Sequence, residues 1–353
     1  MEIKRRDLLG MGATLGMGIV ANGVLGQEGA GGANPAGANP AEGGQHRGQQ
    51  SDGSGNVSSS RQPRAREVWA PQPVPPLPYV PPNRAIWRLP EILAAHKGEQ
   101  DWTQHIVRTH FFDAYWISMG PGKKTKTQFY ADDRVVWVVQ SGQIRFTIEG
   151  QEPFVAARSF LVDVPARTYY SLETVGDAPS LRFEVRPAGE MPSYPASETP
   201  TPVPGWRYIK AVIHERGSYD DAGAPPGLNK PYLDFQKDVV EADGKSSQFV
   251  LDGHTSFHII RGPGVPLPPP TNFGHFHENF GEVWIVLEGK LDVLLEGRNL
   301  VSGEVGDVIQ ALPEAWHRAS FHEGGMGTRF AITPRQLGGQ THYMQVDGNG
   351  GGN

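Results

Sequence analysis

The chain has 353 residues, a formal net charge of -6 and no cysteine. This length allows two domains that each bury a core, and the lack of cysteine leaves His, Asp and Glu as the protein ligands for any metal. The negative charge and the absence of a basic stripe argue against nucleic acid as a partner.

The first 26 residues have the composition of an export signal. A basic start containing Arg5 and Arg6 precedes an uncharged stretch over residues 8–26, and the "RRDLL" segment resembles the twin-arginine signal. We therefore predict a signal peptide over 1–26, recognition by the twin-arginine machinery, and a periplasmic or extracellular mature protein without a stable membrane span. The alternative is a single uncleaved transmembrane helix.

Low-complexity and proline-rich segments separate the remaining regions. Residues 27–70 contain almost no apolar side chains, which predicts a disordered tether, and the tail at 336–353 is predicted to be flexible. Residues 71–102 read as a proline-rich arm followed by a short helix at "LPEILAAHKG". A second proline-rich stretch begins a linker over residues 189–245.

Short strand-like segments fill the other two regions, and they repeat at a constant offset. Six residues of the first region reappear 147 positions later as the same residue type. The first set is Trp137, Gly142, Gly150, Arg182, Phe183 and Pro187, and the second is Trp284, Gly289, Gly297, Arg329, Phe330 and Pro334. The constant offset indicates an internal duplication of one all-β unit, and closing such a unit into a barrel removes its exposed edges.

The segment "GHFHENFGEVWIVLEG" carries three titratable groups at the start of an apolar strand. Strand side chains alternate faces, so His275, His277 and Trp284 can share one face, with Glu282 joining them after the turn at "ENFG". A later strand brings in His317. Three imidazoles and a carboxylate inside a barrel need a partner, and a divalent metal supplies one while leaving positions open for water or substrate.

The spacing of these four residues resembles the two signature motifs of the cupin superfamily. His275, His277, Glu282 and Gly289 match the first motif, and Gly306 with His317 matches the second. The resemblance implies an all-β fold of two tandem cupin modules, each a small antiparallel β-barrel of jelly-roll type, at residues 103–188 and 246–335. It also implies that His275, His277, Glu282 and His317 hold one divalent transition metal (Mn, Fe, Ni, Cu or Zn). The Pro-x-Gly turn of the second motif is replaced by Leu312-Pro313-Glu314-Ala315.

The first module lacks these ligands. Subtracting 147 from the ligand positions gives Gln128, Tyr130, Val135 and Tyr170, which are poor ligands for a divalent ion. We predict that residues 103–188 form a metal-free barrel with a structural role, with a ligand-binding pocket as the alternative.

Four further residues are candidates for the walls of a substrate pocket. Trp284 and Phe321 lie an even number of positions from a ligand, and His258 and Arg261 lie on a strand of the same module. Each also has an ordinary structural interpretation as core packing, a hydrogen-bonded strand residue or a surface arginine. No catalytic acid or base is assigned from the sequence.

Taken together, these features favour an exported, metal-dependent enzyme that acts on a small oxygenated organic molecule. A dioxygenase or other oxidoreductase with one mononuclear site is the preferred function. A sugar isomerase or lyase and a non-catalytic metabolite-binding protein are the alternatives. The partners expected are a small-molecule substrate and the export machinery, and a homo-oligomer is compatible with the sequence.

Overall fold

Strands dominate the part of the chain that the structure, a computed structural model, describes: residues 68–220, 224–266, 274–335 and 343–344. The predicted signal peptide, nearly all of the tether and most of the tail lie outside these ranges. All described residues belong to one compact unit. No helix within these ranges has the length and apolar character needed to cross a membrane.

The described chain begins with the proline-rich arm, a short strand β1 (Ile86–Trp87) and the helix α1 (Leu89–Ala95). The helix starts where expected, because Pro90 in its first turn needs no hydrogen-bond partner for its nitrogen. Its buried Leu89 and Ile92 join a hydrophobic core that both modules share.

The N-terminal module contains eight strands in two sheets. They are β2 (Trp102–Arg108), β3 (Phe112–Met119), β4 (Val135–Ser141), β5 (Gln143–Ile148), β6 (Phe154–Ala156), β7 (Phe160–Val164), β8 (Tyr170–Val175) and β9 (Ser180–Pro187). A short strand β10 (Tyr232–Asp234) and a π-helical turn (Gln236–Glu241) follow in the connecting segment. The larger sheet has the order β10-β7-β4-β9-β3-β2, and the smaller has the order β6-β5-β8.

The C-terminal module repeats this plan. Its strands are β11 (Ser247–Leu251), β12 (Thr255–Pro263), β13 (His275–Phe276), β14 (Glu282–Glu288), β15 (Lys290–Leu295), β16 (Asn299–Glu304), β17 (Val308–Ala311), β18 (His317–Phe321), β19 (Met326–Pro334) and β20 (Tyr343–Met344). Its sheets have the orders β1-β17-β14-β19-β12-β11 and β16-β15-β18-β13-β20. All strand pairs between named strands in both modules are antiparallel, in agreement with the predicted all-β class.

The register confirms the duplication residue by residue. Trp137 pairs with Glu184 in the first module, and Trp284 pairs with Ala331, 147 positions later, in the second. A bulge after Val139 in β4 recurs after Val286 in β14. The offset therefore describes a spatial equivalence and not only a sequence pattern.

The glycines at the ends of β4 and β14 recur because the turn requires them. Gly142 and Gly289 have φ values of 73° and 66°, which disfavour residues with a side chain. A Cβ at either position would also collide with the backbone of the facing strand.

Each module receives one strand from the segment that precedes the other module. Strand β1, ahead of the N-terminal module, pairs with β17 of the C-terminal sheet, and β10 pairs with β7 of the N-terminal sheet. This exchange was not expected from the sequence, where residues 71–102 read only as an arm and helix. It ties the two modules together through backbone hydrogen bonds.

Three hydrophobic clusters stabilise this arrangement. One lies between the two large sheets and includes Val136 and Phe183 of the first module with Val283 and Phe330 of the second. The other two fill the barrel interiors around Trp137 and Trp284. Burial of each large apolar side chain contributes about 1.5–3 kcal/mol, so the shared cluster stabilises the packing of the two modules against each other.

A buried ionic group reinforces one side of this interface. Arg134, immediately before β4, pairs with Asp163 of its own module and with Asp252 from the β11–β12 turn of the other. All three residues are buried. Since a buried charge is costly without partners, this group fixes the relative position of the modules.

Candidate metal centre

The structure brings His275, His277, Glu282 and His317 together inside the C-terminal barrel. One ligand atom from each residue lies within 4.8 Å of the others. Two atoms bound to one ion at 2.0–2.2 Å can be at most about 4.4 Å apart, so small side-chain rotations would place all four on one ion.

Strand pairing determines this convergence. His275 on β13 lies directly opposite His317 on β18, and Glu282 opens β14. The three imidazole rings pack edge to face or tilted, with centroids 4.5–5.6 Å apart. His277 and His317 are fully buried, so the ligand set faces the barrel interior and not bulk water.

A turn in the second motif anchors the backbone of His277. The nitrogen of Glu314 donates to the carbonyl oxygen of His277 over 2.6 Å, and Glu314 has φ 62°. This is the left-handed conformation that glycine adopts most easily. The first module repeats the arrangement with Arg167, at φ 54°, donating to Tyr130. The non-glycine turn therefore keeps the required geometry in both modules.

His317 presents one nitrogen to the site. Its Nδ1 must donate to the carbonyl oxygen of Ala315 at 2.9 Å, because that oxygen can only accept, and this leaves the lone pair on Nε2. This Nε2 is buried and has no hydrogen-bond partner among the described residues. Burial, and after it the neighbouring His275, lower the pKa of His317 to about 3. The ring is therefore neutral at physiological pH and ready to bind a cation.

Glu282 supplies the negative charge. Burial by itself raises the pKa of this carboxyl, but hydrogen bonding to the His275 and His277 rings lowers the pKa well below its usual range. Its Oε1 lies 2.9 Å from Nε2 of His277 and 3.9 Å from Nε2 of His275. Glu282 therefore lies beside two imidazole rings that could join it in binding a metal.

These residues fit a divalent transition metal. The set of three imidazoles and one carboxylate suits manganese, iron, nickel, copper or zinc, and the buried Nε2 of His317 has the geometry of a ligand rather than of a hydrogen-bonded core histidine. It is the one group of this kind within the described ranges.

Aromatic side chains surround the ligands. Trp284 lies 5.4 Å from the His317 ring, and its indole nitrogen is buried with no hydrogen-bond partner in the described part of the chain. Phe280 stacks on His277 at 4.3 Å. Phe280 was missed in the sequence, where it appears only as the aromatic residue of the "ENFG" turn.

The other predicted pocket residues have different environments. Phe321 packs in the barrel cluster with Trp284, at the opposite end of β18 from His317. His258 lies in the row of Ala331 and Trp284, which places it on the inner face of the barrel. Burial lowers the pKa of His258, and the charge of Glu282 partly opposes that shift.

Arg261 is not brought to the metal ligands. Its Nε donates to Glu288 over 2.9 Å, and its Nη1 lies 3.5 Å from Asp243. A different arginine, Arg329, is buried in the barrel, with its Cζ 5.8 Å from the Trp284 ring and 5.7 Å from the Phe321 ring. Arg329 recurs as Arg182 in the repeat, and this recurrence was the sequence signal that could have identified it.

The offset positions in the N-terminal barrel form a different set of contacts. Gln128 lies opposite Tyr170, as His275 lies opposite His317, and its Nε2 donates to the Tyr170 hydroxyl over 3.1 Å. Tyr130 accepts from Arg186 at 3.0 Å. Three of the four side chains that could bind a metal in the second module are here replaced by groups that form hydrogen bonds within the first module.

Known proteins resemble this chain in their fold. No protein-family model matches the sequence, and no curated protein matches it. A variant of salicylate 1,2-dioxygenase from Pseudoaminobacter salicylatoxidans in complex with gentisate is similar in structure, with a TM-score of 0.50 and 12% identity over 72% of this chain and 85% of that chain. A variant of the same enzyme described without gentisate gives a TM-score of 0.50 and 12% identity, over 72% and 87% of the two chains.

A cupin 2 conserved barrel domain protein from Leptotrichia buccalis gives a TM-score of 0.45 and 12% identity over 71% of this chain and 96% of that chain. Likeness at this level of identity concerns architecture alone, and the strand orders and the repeated register describe that architecture independently. The protein has the cupin fold, with two tandem β-barrel modules and one group of potential metal ligands in the described part of the second.

Proposed function

We propose that the C-terminal barrel is the active site of a metal-dependent dioxygenase that acts on a small oxygenated organic molecule. The observation that carries this proposal is the buried group of three histidines and Glu282, in which His317 offers an Nε2 with no protein partner among the described residues. Four protein ligands leave coordination positions for substrate.

The interior of the barrel favours a flat, hydroxylated aromatic molecule as substrate. Trp284 offers an indole N–H beside the ligands, and the Arg329 guanidinium carbon lies near the Trp284 and Phe321 rings. Such walls suit a flat molecule, since aromatic side chains contact its ring and the indole N–H donates to one of its oxygens. Gentisate, bound by the structurally similar salicylate dioxygenase, belongs to this class.

The residues around the metal site would have separate roles. A bound redox-active metal supplies the one-electron chemistry that organic groups need to react with oxygen. The Ala315 carbonyl holds the His317 ring with Nε2 inward, and Glu282 remains ionised. Trp284 orients a substrate oxygen through its N–H, while the aromatic walls exclude water and strengthen these polar interactions.

Reconstitution tests this function. Metal-stripped protein is loaded separately with iron, manganese, nickel, copper or zinc, and oxygen uptake is followed with gentisate, salicylate and related hydroxybenzoates. We expect oxygen consumption equimolar with substrate for a redox-active metal and none for zinc, which has no accessible redox change. His317→Phe should abolish uptake, whereas Tyr170→Phe, the matched change in the N-terminal barrel, should leave it intact.

Other outcomes would identify another function. Turnover with zinc in the absence of oxygen would replace the dioxygenase by a metal-dependent isomerase or lyase. Tight binding without turnover under every metal would indicate a metabolite-binding protein.

We also propose that the protein is exported by the twin-arginine machinery to the periplasm or beyond. The support is the Arg5-Arg6 pair and the uncharged stretch that follows. A lysine pair keeps the charge but lacks the planar guanidinium, so Arg5→Lys with Arg6→Lys should retain the precursor in the cytoplasm, whereas Lys4→Arg should not. Cell fractionation measures this, and efficient export of the double variant would point to general secretion instead.

A further inference from the structure

The interface between the modules has two halves that are equivalent under the duplication. Asp163 on β7 pairs with Val136, and Gln310 on β17 pairs with Val283, 147 positions later. Each of these side chains lies near a hairpin turn contributed by the other module. The two halves therefore present matched positions for direct comparison.

The two hairpin turns also have matching bonds. Asp252 Oδ1 accepts from the nitrogens two and three residues ahead in the β11–β12 turn. Thr109 Oγ1 accepts from the nitrogens of Phe111 and Phe112 in the β2–β3 turn in the same way. Thr109 is thus the counterpart of Asp252.

One half is filled by an arginine. The guanidinium of Arg134 lies between Asp163 and Asp252, and all three residues are buried. This half therefore contains a cation held by two carboxylates.

The other half has lost all three charged groups. Gly281 stands where Arg134 would be, Gln310 replaces Asp163, and Thr109 replaces Asp252. A side chain at Gly281 would overlap the carbonyl oxygen of Ala311, so this residue cannot fill the space.

A cavity of about 290 Å³ occupies this half, and we call it the seam pocket. Apolar side chains form much of its lining, and the residues that matter here are Phe111, Phe112, Phe280, Leu312, Pro313 and Gln310. None of the four candidate metal ligands lines it. A cavity of about 150 Å³ suffices for benzene, so the seam pocket has room for a substituted ring.

Gln310 gives the seam pocket a polar group that needs a partner. The residue is only 2% exposed, and its carboxamide oxygen has no hydrogen-bond partner among the described residues. Leaving such a group unsatisfied costs about 1–3 kcal/mol, which a ligand with a suitable donor would recover. Arg108 at the rim is already paired with Asp113 at 3.2 Å, so the pocket offers no uncompensated charge to an ion.

We propose that the seam pocket binds a small, uncharged aromatic molecule that carries one O–H or N–H donor, the chemistry of a phenol. The three phenylalanines contact its ring, and Gln310 accepts its proton donor. One of the three, Phe280, also stacks on His277. The seam pocket is thus a second ligand site that adjoins the metal centre without sharing its ligands.

Titration of the metal-stripped protein with phenol tests the site, with anisole as the matched ligand that lacks the donor. We expect saturable binding of one phenol per chain, with anisole about fivefold weaker, the effect of one typical hydrogen bond. Gln310→Leu should lower the affinity for phenol to the affinity for anisole. Gln143→Leu, the same change at an exposed position of β5, should keep the preference.

A second variant tests the equivalence of the two halves. Gln310→Glu restores a carboxylate at the position of Asp163, so methylguanidinium should bind this variant at least tenfold more tightly than it binds the parent. The methylguanidinium affinity of Gln310→Glu tests the proposal even if Gln310→Leu does not fold. The proposal is overturned if phenol shows no saturable binding, if folded Gln310→Leu keeps the preference for phenol, or if Gln310→Glu gains no affinity for methylguanidinium.

Discussion

The two barrels share one register but solve the problem of their polar interiors in different ways. In the N-terminal barrel, the indole N–H of Trp137 donates to Glu184 over 2.8 Å. In the C-terminal barrel, Ala331 takes the place of Glu184, and the indole N–H of Trp284 has no partner among the described residues. The same strand pairing therefore supports both a satisfied interior and one that is open to a ligand.

The metal-ligand positions show the same contrast. Gln128 and Tyr170 bond to each other, whereas the equivalent His275 and His317 rings face a common point with His277 and Glu282. Since buried polar groups need partners, an interior that satisfies itself is suited to a structural role. The interior that keeps the Nε2 of His317 available is suited to bind a metal.

Removing a ligand should break this contrast most strongly. His277→Ala or Glu282→Ala should weaken metal affinity by more than about 1000-fold, since the loss of a mere outer partner already costs about 10–100-fold. The barrel should persist, because the first module folds without these ligands. Metal titration and far-ultraviolet circular dichroism measure the two effects, with Gln128→Ala as the control that keeps the affinity; unfolding of both ligand variants would show that the residues are mainly structural.

The half of the interface that contains Arg134 should contribute more to the free energy of unfolding than the half that contains Gln310. Arg134→Met leaves Asp163 and Asp252 buried without their cation and should lower the free energy of unfolding by about 3–5 kcal/mol. Gln310→Leu, at the position equivalent to Asp163, should leave it unchanged or raise it, because it removes an unsatisfied buried group. Denaturant unfolding measures both, and equal losses would contradict a larger contribution from the Arg134 group.

In the metal-free protein, acid should reduce stability through His317 of the C-terminal barrel and not through its counterpart Tyr170 in the N-terminal barrel. Unfolded His317 takes up a proton below its ordinary pKa near 6.5, whereas the folded ring resists until about pH 3, so stability falls as the pH drops through this window. The slope from this residue is at most about 1.4 kcal/mol per pH unit. His317→Phe should make the measured slope shallower, and Tyr170→Phe should leave it unchanged; the same slope in both variants would refute the buried neutral ring.

The smallest effect should come from the indole of the C-terminal barrel. Trp284→Phe keeps the ring but removes the N–H, so KM for a turned-over hydroxybenzoate should rise about fivefold, the effect of one typical hydrogen bond. Trp137→Phe should leave KM unchanged and reduce stability, because Glu184 loses a donor. Steady-state kinetics with thermal unfolding distinguishes the roles, and a change of KM in Trp137→Phe alone would reverse them.

The sequence predicted the features that follow from periodicity and spacing. The resemblance of their spacing to the cupin motifs selected the residues that converge in the second barrel. The 147-residue offset and strand alternation were enough to predict the all-β fold, which the structure confirms. They work because each β-residue has one of two faces and the duplication preserves the register.

Features that depend on contacts between distant segments were not predictable. The exchanged strand β1 has only two residues and carries no periodic signal. Strand alternation did not predict that Arg261 would form ion pairs with Glu288 and Asp243. It also did not predict that Phe280 would stack on His277. These partners come from separate loops and strands, whose approach is set by the packing of the whole module.

Metal stoichiometry tests the difference between the barrels most directly. Elemental analysis of the purified mature protein, after equilibration with a transition metal and removal of excess, should give one ion per chain. Glu282→Ala should reduce this value to near zero, and Tyr170→Phe should leave it at one. Two ions per chain, or one ion that survives loss of Glu282, would contradict a single metal centre in the C-terminal barrel.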